Sequence, residues 1–162
     1  GYETQVPPIN TLAFFNAIAN DGKMVRPMFT KEILHNGKTV QSFSTEVINS
    51  SICSDHTLAL IKDMLLGVVE KGTGKAVHSD IVRIAGKTGT AEKVPRGSGN
   101  YVVSFIGFAP VDDPQVVVYV VVDEPHVADQ SHCSQSSYIA KNIFSQILPY
   151  MNIERMDSVA AE

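Results

Sequence analysis

The chain has no apolar run approaching the roughly 18 residues that a bilayer-spanning helix needs, so no membrane span is expected and the chain should be soluble. Nor does it carry an excess of positive charge. Its 13 Lys and Arg are outnumbered by 17 Asp and Glu, giving a net charge of -4, and the cations are scattered among carboxylates. A phosphate-tracking surface is thereby excluded, and nucleic acid is not an expected partner. Only two cysteines are present, Cys53 and Cys133. They form neither a Cys-x-x-Cys pair nor a disulfide framework and so specify no redox compartment. There is no initiator methionine and no signal peptide, because Gly1-Tyr2-Glu3-Thr4-Gln5 leads directly into Pro7-Pro8. A piece of a longer chain is expected. Internal repeats and low-complexity segments are also missing.

What is there suits one domain, since 162 residues with 44% hydrophobic content suffice for a sizeable core. After Pro7-Pro8, Leu12, Phe15, Ile18 and Ala19 recur at helical spacing, and Asn20-Asp21-Gly22 supplies a left-handed exit. Two short runs at 31–35 and 39–43 flank Asn36-Gly37, the signal for a type I′ hairpin. Ser54-Asp55 opens a longer helix with Leu58, Ile61, Leu65 and Val68 on one face and Gly72 at its end. Strand-like runs follow at 80–91, 101–110 and 115–123. The last two are nearly continuous in apolar residues and are joined by Val111-Asp112-Asp113-Pro114, so they read as an antiparallel hairpin buried on both faces. A closing helix over 137–148 presents Ile139, Ile143, Phe144 and Ile147 and is expected to stop at Pro149. The tail at 151–162 offers only Ile153 and Met156 for packing. The fold class is therefore α+β, an antiparallel sheet covered by helices, within a unit spanning 1–150 that carries the 31–43 hairpin as an excursion.

Within the first of these strands lies Ala85-Gly86-Lys87-Thr88-Gly89-Thr90-Ala91-Glu92. A phosphate-binding loop would need a glycine five residues before Gly86, where Ile81 stands; Gly37-Lys38-Thr39 fails in the same way at Glu32. Neither triplet precedes a helix whose N-terminus could hold phosphate. A Lys-Thr-Gly box on a strand, as in active-site serine acyl-transferases, fits the context instead. Strand alternation puts Thr88 and Thr90 on one face, where two hydroxyls can hold a carboxylate. Lys87 adds positive charge, and its long stem can lean toward the same place. Gly89 removes a side chain between the threonines, so a peptide can approach and pair as an added strand. The backbone N–H of Thr90 is a candidate oxyanion donor.

These residues resemble class B penicillin-binding proteins, and specifically the C-terminal part of their transpeptidase domain. The resemblance is carried by residues 1–8 with the helix to Gly22, by Gly72-Thr73-Gly74, by Lys87-Thr88-Gly89-Thr90-Ala91-Glu92, and by Ser104-Phe105-Ile106-Gly107-Phe108-Ala109-Pro110. It implies the penicillin-recognising transpeptidase fold, with helices on both faces of an antiparallel sheet and the active site beside the motif strand. It also implies peptidoglycan stem peptides ending in D-Ala-D-Ala as substrate, β-lactam antibiotics as ligands, and no cofactor. The process served would be cell division, elongation or sporulation outside the cytoplasm, in a parent anchored to the cytoplasmic membrane by a segment absent here. By the same resemblance Lys87 belongs to the active-site hydrogen-bond network. Lys87, Thr88, Gly89 and Thr90 would bind substrate, and Thr90 would share the oxyanion hole with the nucleophile's own N–H.

The departures are equally informative. The family's nucleophile lies in Ser-x-x-Lys, which occurs nowhere in these 162 residues, and Ser98-Gly99-Asn100 lies downstream of the motif where the family's Ser-x-Asn lies upstream. The missing N-terminal part of the same domain is therefore an expected partner, and the isolated chain is expected to be inactive. The alternative is a non-catalytic module that binds peptides or pairs with a partner strand. Without neighbouring strands, one sheet edge should be open or covered by self-association. Pro7 stands where relatives often place a capping threonine, and residues 132–137 replace a small, glycine-rich stretch. His126, Asp129, His132 and Cys133 match no common zinc spacing and read as loop residues, while Tyr101, Phe105 and Phe108 read as core.

Overall fold

The computed structural model describes residues 6–132 and 134–153. Residues 1–5 of the family-like segment, Cys133 and Met156 lie outside the described residues.

Pro8 opens α1 (Pro8–Ala19), and because the N-cap position is Pro7 no side chain caps it. The helix exits through Asp21 and Gly22, both at positive φ (49° and 79°). A short pair, β1 (Met24–Val25) and β4 (Val47–Asn49), follows no sequence signal recognised above. It is clamped by Arg26, whose guanidinium meets Glu46 at 2.6 Å and 3.0 Å. Inside that pair sits the hairpin of β2 (Glu32–His35) and β3 (Lys38–Ser42). Asn36 and Gly37 both have positive φ (50° and 74°), the type I′ requirement.

Helix α2 (Asp55–Glu70) starts at Ser54, whose hydroxyl accepts from the Thr57 N–H at 3.2 Å. Its buried residues are Leu58, Leu65, Leu66 and Val69. The three-stranded sheet is β5 (Ala85–Glu92), β6 (Tyr101–Ala109) and β7 (Val116–Asp123), antiparallel in the order β5-β6-β7. Helix α3 (Gln135–Tyr150) returns across it.

Two apolar clusters make the sheet the middle of three layers. Phe105, Val118, Ala140, Phe144 and Leu148 pack with Val77, Val82 and Ile84 beneath α3. On the other face Ala85, Phe108 and Val111 pack with Ile18 and Ala19 of α1 and Leu58, Leu65 and Leu66 of α2. This is an α+β fold with helices on both sides of an antiparallel sheet. Phe105 and Phe108 are 0% exposed, so both aromatic rings are core.

Four expectations are corrected. The run at 80–91 becomes strand only from Ala85. Its would-be partner ends at Ala109, because Pro110 has no N–H to extend the ladder. The Ser79 hydroxyl instead accepts from the N–H groups of Ile81 and Val82, at 3.2 Å and 3.4 Å. The β6–β7 hairpin is buried on both faces only along β6; β7 is an outer strand, with Val121 41% exposed. The stripe of α3 that meets the sheet is Ser137, Ala140, Phe144 and Leu148, while Ile139 and Ile143 face outward at 43% and 36% exposure. Finally, α3 runs from Gln135 through Pro149 to Tyr150. A proline in the final turn forfeits one bond only, and the N–H groups of Met151 and Ile153 close the end on Ile147 and Leu148.

Candidate functional site: a hydroxyl-lined cavity beside β5

In an antiparallel pair, directly opposed residues share a face. Thr88 opposes Phe105 and Thr90 opposes Val103, so both threonines lie on the α3 side of the sheet. Lys87 and Gly89 oppose Ile106 and Ser104 and lie on the other side. The Lys87 side chain is exposed, and its ammonium turns back onto the strand to donate to the Thr88 carbonyl at 2.7 Å. It is not among the residues lining the cavity described next. Strand β5 has a single partner strand, β6, so its other edge is without a strand partner among the described residues.

Two glycines shape the strand by what they lack. A Cβ on Gly86 would run into Phe105 Cζ and come within 2.6 Å of the Ile106 carbonyl oxygen. Gly107, opposite it, is equally closed, with Phe105 Cε1 at 2.8 Å. The Phe105 ring therefore occupies the space two side chains would fill, which locks β5 onto β6. Gly89 differs, since a Cβ there would meet only the Ser104 hydroxyl, at 2.5 Å.

Thr73 arrives at the site from α2. The N–H groups of Gly72 and Gly74 both donate to the Val68 carbonyl, at 3.1 Å and 2.9 Å, folding the chain back on the last turn of the helix. A Cβ on Gly74 would sit 3.1 Å from that oxygen, so the turn depends on the glycine's small size. It sets the Thr73 hydroxyl 2.7 Å from that of Thr88.

A cavity of about 280 Å³ opens over these residues. Thr73, Thr88, Gly89, Thr90 and Ser104 form one side; Ser131, His132, Ser134, Ser136 and Ser137 form the other. Among the described residues the lining contains no carboxylate. Five serines, three threonines and an imidazole line it, and those hydroxyls not already donating within the protein can serve an anion; the volume lies just below the usual range for small-molecule sites. It suits the end of a peptide better than a nucleotide.

The second side comes from the connection between β7 and α3. The Gln130 side chain accepts from the Tyr101 N–H at 2.8 Å, which ties that connection to the start of β6. Lys93 ties the exit of β5 to the end of β7 through Glu124 (2.7 Å) and Asp123 (2.9 Å); hydrogen bonds to these carboxylates raise its pKa. The Ser131 hydroxyl donates to Asp129 at 2.6 Å, and His132 Nδ1 lies 2.9 Å from the other Asp129 oxygen. Hydrogen bonds from Ser131 first, and from His132 second, hold the Asp129 carboxyl down at about 2.

The cavity thus brings together Thr88, Gly89 and Thr90 of the sequence motif and leaves Lys87 at the strand beside it. Sequence reasoning missed Ser104, Ser131, Ser134, Ser136 and Ser137 as lining residues. It treated His132 as loop and Thr73 only as part of the family pattern. The clustering of five serines within 131–145 was the available signal. Of His126, Asp129 and His132, only His132 lines the cavity.

The chain matches the penicillin binding protein transpeptidase domain over residues 1–148. Stage V sporulation protein D of Bacillus subtilis (strain 168) is 37% identical over 159 residues, which is 95% of this chain and 24% of that protein. Penicillin-binding protein PbpB of Mycolicibacterium smegmatis is 31% identical over 155 residues, 87% of this chain and 24% of that protein. Among solved structures, the D,D-transpeptidase domain of a peptidoglycan glycosyltransferase from Eggerthella lenta superposes with a TM-score of 0.79 at 31% identity, over 92% of this chain and 33% of that one. The chain spans about a quarter of the length of these two curated relatives.

Proposed function

The chain belongs to the penicillin-binding protein transpeptidase family, in its class B branch, and from that membership we propose that it is the C-terminal part of a serine D,D-transpeptidase of peptidoglycan synthesis. The observation that carries this reading is the hydroxyl-lined cavity beside a strand edge that has no strand partner. A stem peptide ending in D-Ala-D-Ala lies along β5 as an added strand, its approach cleared at Gly89. Its terminal carboxylate enters the cavity and is held by the hydroxyls of Thr88 and Thr90. Lys87, whose ammonium sits on the Thr88 carbonyl, contributes positive charge at the strand and joins the network around the reacting serine. The Thr90 N–H is one of two donors for the oxyanion that forms when that serine adds to the penultimate D-Ala carbonyl. Collapse of the adduct breaks the peptide bond and releases D-Ala, which leaves as the protonated amine. An amine of a neighbouring stem then takes the acyl group and frees the serine. β-Lactams enter the same place as mimics of the dipeptide and stay bound to the serine.

The serine itself belongs to a Ser-x-x-Lys sequence that these 162 residues do not contain. The partner of this chain is accordingly the N-terminal part of the same domain, working outside the cytoplasmic membrane in a membrane-anchored parent. Incubating the chain with a fluorescent penicillin and running a denaturing gel should leave it unlabelled; a covalent band from this chain alone would refute the assignment. Reversible binding of acetyl-D-Ala-D-Ala should weaken on Lys87→Ala. A weakening there combined with a parent lacking Ser-x-x-Lys would favour the non-catalytic peptide-binding module instead.

A further inference from the structure

The wall of the cavity opposite β5 is built from the first turn of α3. Ser136 and Ser137 are 3% and 2% exposed, yet neither hydroxyl has a hydrogen-bond partner among the described residues. Among the described residues no fully enclosed side-chain nitrogen or oxygen lacks a partner, so these two oxygens open onto the cavity they line. A buried hydroxyl without a partner forfeits hydrogen bonding it would have in water, and such groups call for an explanation. The same turn supplies N–H groups that no cap satisfies, because Ser134 makes no side-chain cap bond. Donors from two sources therefore converge, with the positive end of the helix dipole behind them.

At the mouth stands His132. Its Nδ1 is engaged by the Ser131 hydroxyl at 2.8 Å and by Asp129 at 2.9 Å, so Nδ1 carries a proton and Nε2, the other ring nitrogen, donates to an anion in the imidazolium form. The nearby Asp129 carboxylate is occupied by these contacts and by the Ser131 N–H, and it does not line the cavity.

We propose that the first turn of α3 is the second half of the carboxylate receptor: Ser136 and Ser137 contact the peptide's terminal carboxylate from the side opposite Thr88 and Thr90, and His132 closes the mouth. The inference rests on the reading of β5 as the peptide-binding strand. It makes residues of the β7–α3 connection determinants of ligand preference, selecting for a free terminal carboxylate.

The test is a titration of the 162-residue chain with acetyl-D-Ala-D-Ala, followed by amide chemical shifts, alongside thermal unfolding. The double variant Ser136→Ala, Ser137→Ala should bind at least about tenfold more weakly, as expected for losing hydrogen bonds to a charged group. Its Tm should stay equal or rise, because the lost hydroxyls had no partners; a merely structural pair would lower Tm and leave affinity intact. The same dipeptide with a C-terminal amide should bind the wild type at least about tenfold more weakly, and equal binding overturns the proposal. Unchanged affinity in the double variant, together with a loss on Thr88→Ala, also overturns it while the β5 reading stands. No binding of the dipeptide to the wild type overturns both. Should the double variant lose its dispersed amide spectrum, His132→Gln decides, since that side chain is 85% exposed and outside the core. Weaker binding by His132→Gln then supports the proposal, and unchanged binding refutes it.

Discussion

Substituting Gly86 by alanine tests the packing that holds the motif strand in place. The added Cβ would collide with Phe105 Cζ and sit 2.6 Å from the Ile106 carbonyl oxygen and 3.1 Å from Gly107 Cα. Two of these three neighbours are backbone of the strand that β5 pairs with, and the third is a ring that is 0% exposed in the core. Neither can rotate away, so the strands must part or the ring must leave its rotamer. Overpacking of this kind costs about 1–3 kcal/mol. In a domain of this size about 2 kcal/mol lowers Tm by roughly 4–8 °C. Gly89→Ala is the control three residues along the same strand. Its Cβ meets only the Ser104 hydroxyl, which can turn to another staggered rotamer, so the cost should stay under about 1 kcal/mol. Gly67, inside α2 with nothing within 4 Å of a Cβ, should gain up to about 1 kcal/mol as alanine. Urea unfolding followed by circular dichroism, with the slope m unchanged, orders the three. A Gly86→Ala midpoint equal to wild type, or a Gly89→Ala loss larger than that of Gly86→Ala, would refute the reasoning.

Ser54→Ala removes the hydroxyl that caps α2 and should cost about 1 kcal/mol by the same unfolding assay; no loss would mean the cap is idle. Thr73→Val deletes the partner of the Thr88 hydroxyl. It should lower stability by about 1 kcal/mol or less and weaken acetyl-D-Ala-D-Ala binding several-fold, and unchanged binding would show that Thr88 needs no orienting partner. The Asp129 carboxyl should titrate at about 2 by carbon-detected NMR. Because its pKa is depressed in the folded chain, its stabilisation of the connection before α3 is fully present above about pH 4. That stabilisation disappears as pH falls through about 2; titration near 4 would mean that Ser131 and His132 do not hold it.

Much of the fold was legible because local rules and tertiary needs agreed. Ser54 before an apolar stripe, Asn36-Gly37 between short runs and the apolar strands around residues 111–114 are structures that a few adjacent residues impose through capping, φ preference and period. The β1–β4 pair escaped because two- and three-residue strands are too short to show a period. The face of α3 was misassigned because Ile139 and Ile143 are more hydrophobic than Ser137 and Ala140, yet the small residues are what let the helix sit close to the sheet. Likewise 80–84 alternates like a strand, but Pro110 opposite it has no N–H, and the bond that follows, from the Val111 N–H to the Arg83 carbonyl at 3.1 Å, does not continue the ladder.

The sequence by itself determined the antiparallel α+β architecture and the motif on β5, since both follow from residue period, turn chemistry and a pattern of consecutive residues. Only the tertiary structure decided what faces Thr88 and Thr90. Thr73 lies 15 residues before Thr88, and Ser136 and Ser137 lie nearly 50 after it. They become one hydroxyl-lined cavity because two glycines fold α2's end inward and because α3 recrosses the sheet on the threonine face. Contacts of that range are set by how layers pack, and no local pattern encodes them.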